Sequence, residues 1–195
     1  MSQARLLSVL VENRPGVLMR VASMIRRRGF NIDSLSVGPT EDRDTSRMTI
    51  TVHVGKAQAE QAMKQLSKLI DVITVDDITG ERVVAHELLL IKMESPVGTR
   101  HDLLDIIDIF RGRVVDVAHD TIIAEVTGSE EKIDNFLELM TPFGIKEVAR
   151  SGAVAMVRGS RAWLRIVGED KELEPPLAGT AAAPAPDAGD MTGSV

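Results

Sequence analysis

Twice along this chain the apolar residues spell the same order of elements: strand, helix, strand, strand, helix, strand. Few architectures accept that order. In the first pass, Leu6 to Val11 is an apolar run of strand length. Leu18, Val21, Ala22 and Ile25 then recur at helical spacing, and the stretch up to Gly38 returns as a strand. Met48, Ile50, Val52 and Val54 alternate with Thr49, Thr51 and His53, the period of a strand with one covered face. Ala59, Ala62, Met63, Leu66, Leu69 and Ile70 mark a second amphipathic helix, and Val72 to Val75 a β-branched strand. The second pass runs through a strand at Leu88–Met93 and a helix carrying Leu103, Leu104, Ile107 and Phe110, stopped near Gly112. Strands follow at Val114–Ala118 and Ile122–Val126, then a helix with Ile133, Phe136, Leu137 and Met140, and a strand at Ile145–Ala149. Ser129 caps that last helix, with Glu130 and Glu131 in the first turn, where the helix dipole favours acids.

Two split βαβ units of this order each build a four-stranded antiparallel sheet with both helices on one face. The expected fold class is therefore α+β, as two tandem ferredoxin-like βαββαβ units. Polar residues from Asp76 to Arg82 separate them. The boundaries fall at residues 1–78 for the first unit, 79–85 for a linker, 86–160 for the second unit and 161–195 for a tail. Arg161-Ala-Trp-Leu-Arg-Ile-Val is a candidate short final segment. Gly179 to Val195, rich in Ala, Pro and Gly, is too poor in apolar residues to order itself, so a largely disordered C-terminal tail is expected.

The most chemically suggestive stretch is the loop after the first strand, Glu12-Asn13-Arg14-Pro15-Gly16. Pro15 suits the first turn of a helix, where its missing N–H would have no partner anyway. The first amides of the helix point outward unsatisfied, so the turn from Asn13 to Leu18 can grip a carboxylate or carbonyl. Gly16 allows close approach to the backbone, and Gly29 is placed to end the helix in the left-handed conformation. Asn13 and Asn31 each carry an amide that donates and accepts, as an amino-acid zwitterion requires. Each also has a plainer reading: Asn13 as a turn or cap residue, Asn31 as the residue after a C-cap glycine.

Several function classes fall away on composition. A net charge of −6 and only 3% aromatic residues, with no tyrosine, argue against nucleic-acid binding. Arg26-Arg27-Arg28 accordingly reads as a solvated helix end, favoured by the helix dipole. With no cysteine there are no disulfides, thiolate metal sites or cysteine nucleophiles, which fits the cytoplasm. No apolar run approaches the roughly 18 residues of a membrane span, and Leu6–Val11 is too short for a signal peptide. His53, His86, His101 and His119 lack metal-ligand spacing, and no phosphate-binding, dinucleotide or hydrolase motif occurs. His101-Asp102 and His119-Asp120 have no third group to orient them. No catalytic residue and no metal ligand is assigned.

Ser8-Val-Leu-Val-Glu-Asn-Arg-Pro-Gly-Val-Leu-Met-Arg-Val resembles the opening of an ACT domain, the small-molecule sensor of amino-acid metabolism. Arg28-Gly-Phe-Asn-Ile-Asp-Ser-Leu-Ser-Val-Gly-Pro-Thr-Glu-Asp, Ser46-Arg-Met-Thr-Ile-Thr-Val and Gln65-Leu-Ser-Lys-Leu-Ile-Asp-Val extend the likeness. Glu87-Leu-Leu-Leu-Ile-Lys, Phe110-Arg-Gly-Arg-Val-Val-Asp-Val and Glu147-Val-Ala-Arg-Ser-Gly carry it through the second unit. Together these blocks, from about Met1 to Gly159, resemble the regulatory small subunits of acetolactate synthase (acetohydroxyacid synthase).

The resemblance implies an N-terminal ACT domain and an ACT-like C-terminal domain, with no catalytic activity. It implies binding to a large catalytic subunit that uses thiamine diphosphate, Mg and FAD, with no cofactor in this chain. It implies activation of that subunit and feedback inhibition by valine, leucine or isoleucine. It also implies a homodimer of ACT domains with the effector at the interface, contacted by Asn13, Gly16, Val17, Leu18, Asn31 and Ile32. Neither nucleic acid nor membrane is an expected partner. The competing expectation is a stand-alone ACT-type sensor serving a different enzyme or a transcription factor.

Overall fold

Pairing with a later strand of the same sheet carries the first strand beyond its apolar run. In the computed structural model, which describes residues 3–159, β1 spans Gln3–Glu12 and not only Leu6–Val11. Its start is held by ten paired positions, from Gln3 opposite Val54 to Glu12 opposite Thr45, and by an ion pair of Arg5 with Asp77 at 2.7 Å. The first unit continues with α1 (Val17–Arg27), β2 (Ile32–Pro39), β3 (Thr45–Val54), α2 (Lys56–Leu66) and β4 (Val72–Asp77). The second comprises β5 (Val83–Glu94), α3 (Arg100–Ile109), β6 (Arg113–Val117), β7 (Thr121–Gly128), α4 (Glu130–Met140), β8 (Ile145–Arg150) and β9 (Val154–Val157). The sheet orders are β2-β3-β1-β4 and β6-β7-β5-β8, every pairing antiparallel. The fold is α+β, two ferredoxin-like units of one topology.

Each core lies between a sheet and its two helices. Leu7, Val9, Val11, Met48, Ile50 and Val52 meet Val17, Val21, Met24 and Ile25 of α1 in the first unit. Leu89, Ile91, Met93, Ile122, Ala124 and Val126 meet Leu103, Ile107, Ile133 and Phe136 in the second, with the Phe110 and Phe136 rings tilted 5.2 Å apart. Burial of such side chains supplies most of the drive to fold.

Several expectations are corrected. Leu18 is 44% exposed and is replaced on the core face by Val17 and Met24. Pro15 precedes α1 instead of opening it, because Gly16 intervenes at φ 86°. The α2 helix ends at Leu66, leaving Ile70 93% exposed, since Ser67 already closes the last turn onto Met63. Asp76 and Asp77 belong to β4, and Val83 to Ala85, expected in the 79–85 linker, open β5 because β9 pairs with them. Gly29 does take a left-handed φ of 73° at the end of α1, and Ser129 accepts a hydrogen bond from the Lys132 amide as an N-cap. The expected tail, 161–195, lies outside the described residues.

The two ladders β8–β5 and β9–β5 form one track interrupted at Ser151–Ala153. There the Ser151 amide donates to the Leu88 carbonyl and the Leu88 amide to Ser151 Oγ, both at 2.9 Å. The same interruption touches the first unit. A Cβ on Gly152 would stand 2.8 Å from the carbonyl carbon of Leu35 in β2. Nearby, Ala4, Arg5, Leu6 and Thr51 of the first unit and Ala85, Glu87, Glu130 and Ala153 of the second line a cleft of about 130 Å³. Arg150 spans the second unit's own elements, ion-paired to buried Glu87 of β5 and, at 2.7 Å, to Asp134 of α4.

Candidate functional site

The loop between β1 and α1 is held by its own backbone. The Glu12 amide donates to the Asp71 carbonyl at 2.9 Å, and the Asn13 amide to the Asp44 carbonyl at 2.7 Å. Asn13 Nδ2 donates to the Arg43 carbonyl at 2.9 Å. The turn reading of Asn13 is therefore realised in part, while its Oδ1 has no hydrogen-bond partner among the described residues. Gly16 then adopts its left-handed φ, a conformation that costs an L residue about 1–2 kcal/mol. A Cβ there would meet nothing within 4 Å, so space opens directly above the start of α1.

That start presents donors. The Val17 amide makes a long 3.4 Å contact with the Arg14 carbonyl, and the Arg20 amide closes the first turn onto the Gly16 carbonyl. Between them the Leu18 and Met19 amides have no acceptor among the described residues. The positive end of the helix dipole lies at the same place. A carboxylate fits this end of α1. Val17, only 3% exposed, can offer just its backbone, whereas Leu18 offers both amide and side chain. The Met19 amide was absent from the residues expected from sequence. Its signal is the rule that the first donors of any helix are left over.

Asn31 and Ile32 lie elsewhere. Asn31 is exposed at the other end of α1, and its Nδ2 donates to Asp33 Oδ1 at 3.0 Å. Asp33 is tied in turn to His53 at 2.6 Å. Ile32, half-buried, starts β2 opposite Val52. Eleven helical residues separate this end from the loop, or about 16 Å. One chain thus brings Asn13, Gly16, Val17 and Leu18 together and Asn31 and Ile32 together, but not the two groups with each other. Ile32 opens β2, the outermost strand in the order β2-β3-β1-β4, which has no ladder other than the one to β3 among the described residues.

The comparisons with known proteins agree on what carries this loop. Residues 7–74 match the acetohydroxyacid synthase small subunit-like ACT domain, and residues 86–159 match the small subunit of acetolactate synthase. The chain belongs to the acetolactate synthase small-subunit family. A probable acetolactate synthase small subunit of Archaeoglobus fulgidus is 54% identical over 155 residues, covering 80% of this chain and 97% of that one. The acetolactate synthase small subunit of Bacillus subtilis is 46% identical over 158 residues, covering 80% and 92%. The crystal structure of the Thermotoga maritima small subunit superposes with a TM-score of 0.75 at 36% identity, over 80% of this chain and 98% of that one. As a small-subunit family member, the chain has the catalytic subunit of acetolactate synthase as its implied partner. Among the described residues no group of three His, Asp or Glu side chains gathers to hold a metal, and no helix is long and apolar enough to cross a membrane.

Proposed function

We propose that this chain is a non-catalytic regulatory subunit that senses a branched-chain amino acid, valine foremost, as a side-by-side pair of ACT domains. The observation that carries this reading is the separation of the two half-sites along α1. A two-fold axis beside β2 runs the second α1 antiparallel to the first, and so sets the loop of one chain against Asn31 of the other. The effector carboxylate then meets the Leu18 and Met19 amides over Gly16. Its ammonium meets the free carbonyl oxygens of Asn13 and the facing Asn31, and its branched side chain lies against Leu18 and Ile32. Leu18 at 44% and Val37 at 43% exposure flank β2 and would be covered by the same pairing.

Such an effector binds only the assembled pair, so it shifts the population towards that geometry. Coupling of about 1–3 kcal/mol lowers the partner's turnover severalfold or more. The large subunit, with thiamine diphosphate, Mg and FAD by family resemblance, does the chemistry in a cytoplasmic complex that this chain activates. The test is sedimentation and calorimetry of the purified chain with valine, leucine and isoleucine, then assay of the reconstituted enzyme. Tighter self-association with effector, and valine-inhibited turnover above that of the large subunit alone, are expected. Pyruvate condensation by this chain alone, or effector binding to a monomer, would overturn the reading.

A further inference from the structure

The flank of α1 turned away from β2 carries a groove of about 600 Å³ lined by Met19, Arg20, Ser23, Arg26, Arg27 and Leu69. Arg20 is engaged with Asp71 at 2.8 Å, but Arg26 and Arg27 have no ion-pair or hydrogen-bond partner among the described residues. Met19 is 70% exposed, and Leu69 adds a second apolar wall. An acidic chain with net charge −6 thus presents a basic, partly apolar trough. The helix dipole accounts for arginines in the last turn of α1, but not for a trough reaching back to Met19 in the first.

The complementary chemistry is in the same sequence. Residues 169–174 read Glu-Asp-Lys-Glu-Leu-Glu, four carboxylates and one apolar side chain within six positions. We propose that this stretch of the chain's own C-terminal region docks in the α1 groove, its carboxylates on Arg26 and Arg27 and Leu173 between Met19 and Leu69. Arginine forks suit carboxylates, and an apolar contact between them adds specificity that charge alone lacks. Ten residues, and so eleven Cα-to-Cα steps, separate Arg158 from Glu169. Extended, those eleven steps reach up to about 36–40 Å, against roughly 30 Å for the diameter of a packed unit of this size. The groove lies on the opposite flank from Leu18, so docking does not compete with pairing through β2. The inference goes beyond the sensing function and does not depend on it.

The test uses the full chain with Arg27→Lys, which keeps the charge and adds an amine that a carbodiimide couples to a touching carboxylate. Mass spectrometry should join that α1 peptide to residues 169–174. The yield should collapse in high salt, where screening shortens to about 3 Å at 1 M. Adding Arg26→Gln removes one cation without supplying a competing carboxylate and should cut the yield severalfold without moving the melting temperature. Links confined to carboxylates outside 169–174, or a yield indifferent to both salt and Arg26→Gln, would overturn the proposal.

Discussion

Gly16 and Asn31 test the site one residue at a time. Gly16→Asp adds a side chain and a negative charge in open space beside amides that have no acceptor among the described residues, so it should repel a carboxylate effector. Asn31→Ala removes a hydrogen bond to a charged group, about 1.5–3 kcal/mol or roughly ten- to a hundredfold in affinity. Neither residue contributes to the core, so both variants should still activate the large subunit while losing feedback. Valine titrations of the reconstituted enzyme decide it, and an unchanged inhibition curve would move the site elsewhere. Gly152 poses a different question, because its neighbour is backbone that cannot rotate away. Gly152→Ala should destabilise the contact with Leu35 by about 1–3 kcal/mol, as overpacking does, read by urea unfolding.

At the scale of elements, β4 is secured to β1 through Asp77. Burial raises its pKa, but hydrogen bonds from the Thr79 hydroxyl and amide and from Arg5 outweigh that and hold it below 3.8. A carboxyl depressed in the folded state stabilises above its unfolded pKa, and that share fades as pH falls through the folded value. Asp77→Asn should therefore cost stability near neutral pH, and the gap from the parent should close in acid below 3.8. Paired melting curves across that range check it. These elements were mostly legible in the sequence because alternation and helical spacing report directly which face is covered. Leu18 misled because an apolar side chain looks the same to periodicity whether it faces the core or an outer flank. The strand at Val83–Ala85 was hidden for another reason. Its partner is β9, some seventy residues away, and no local pattern reports a pairing so distant. The half-sites named from the loop and from Asn31 were visible as residues, but their separation along α1 appeared only with the fold.

For the whole molecule, that separation has a consequence for mixed populations. Suppose one chain carries Gly16→Asp and another Asn31→Ala, and the two pair through β2. One composite pocket then inherits both lesions, and the other draws an intact loop from one chain and an intact asparagine from its neighbour. Two damaged chains thus restore one sound pocket per heterodimer, a complementation that neither can reach with its own kind. Co-refolding the variants in equal amounts should return about half of the pairs as heterodimers, each binding a single effector with parental affinity. Calorimetry should then report about a quarter of the parental number of tight sites. A site built within one chain would return none.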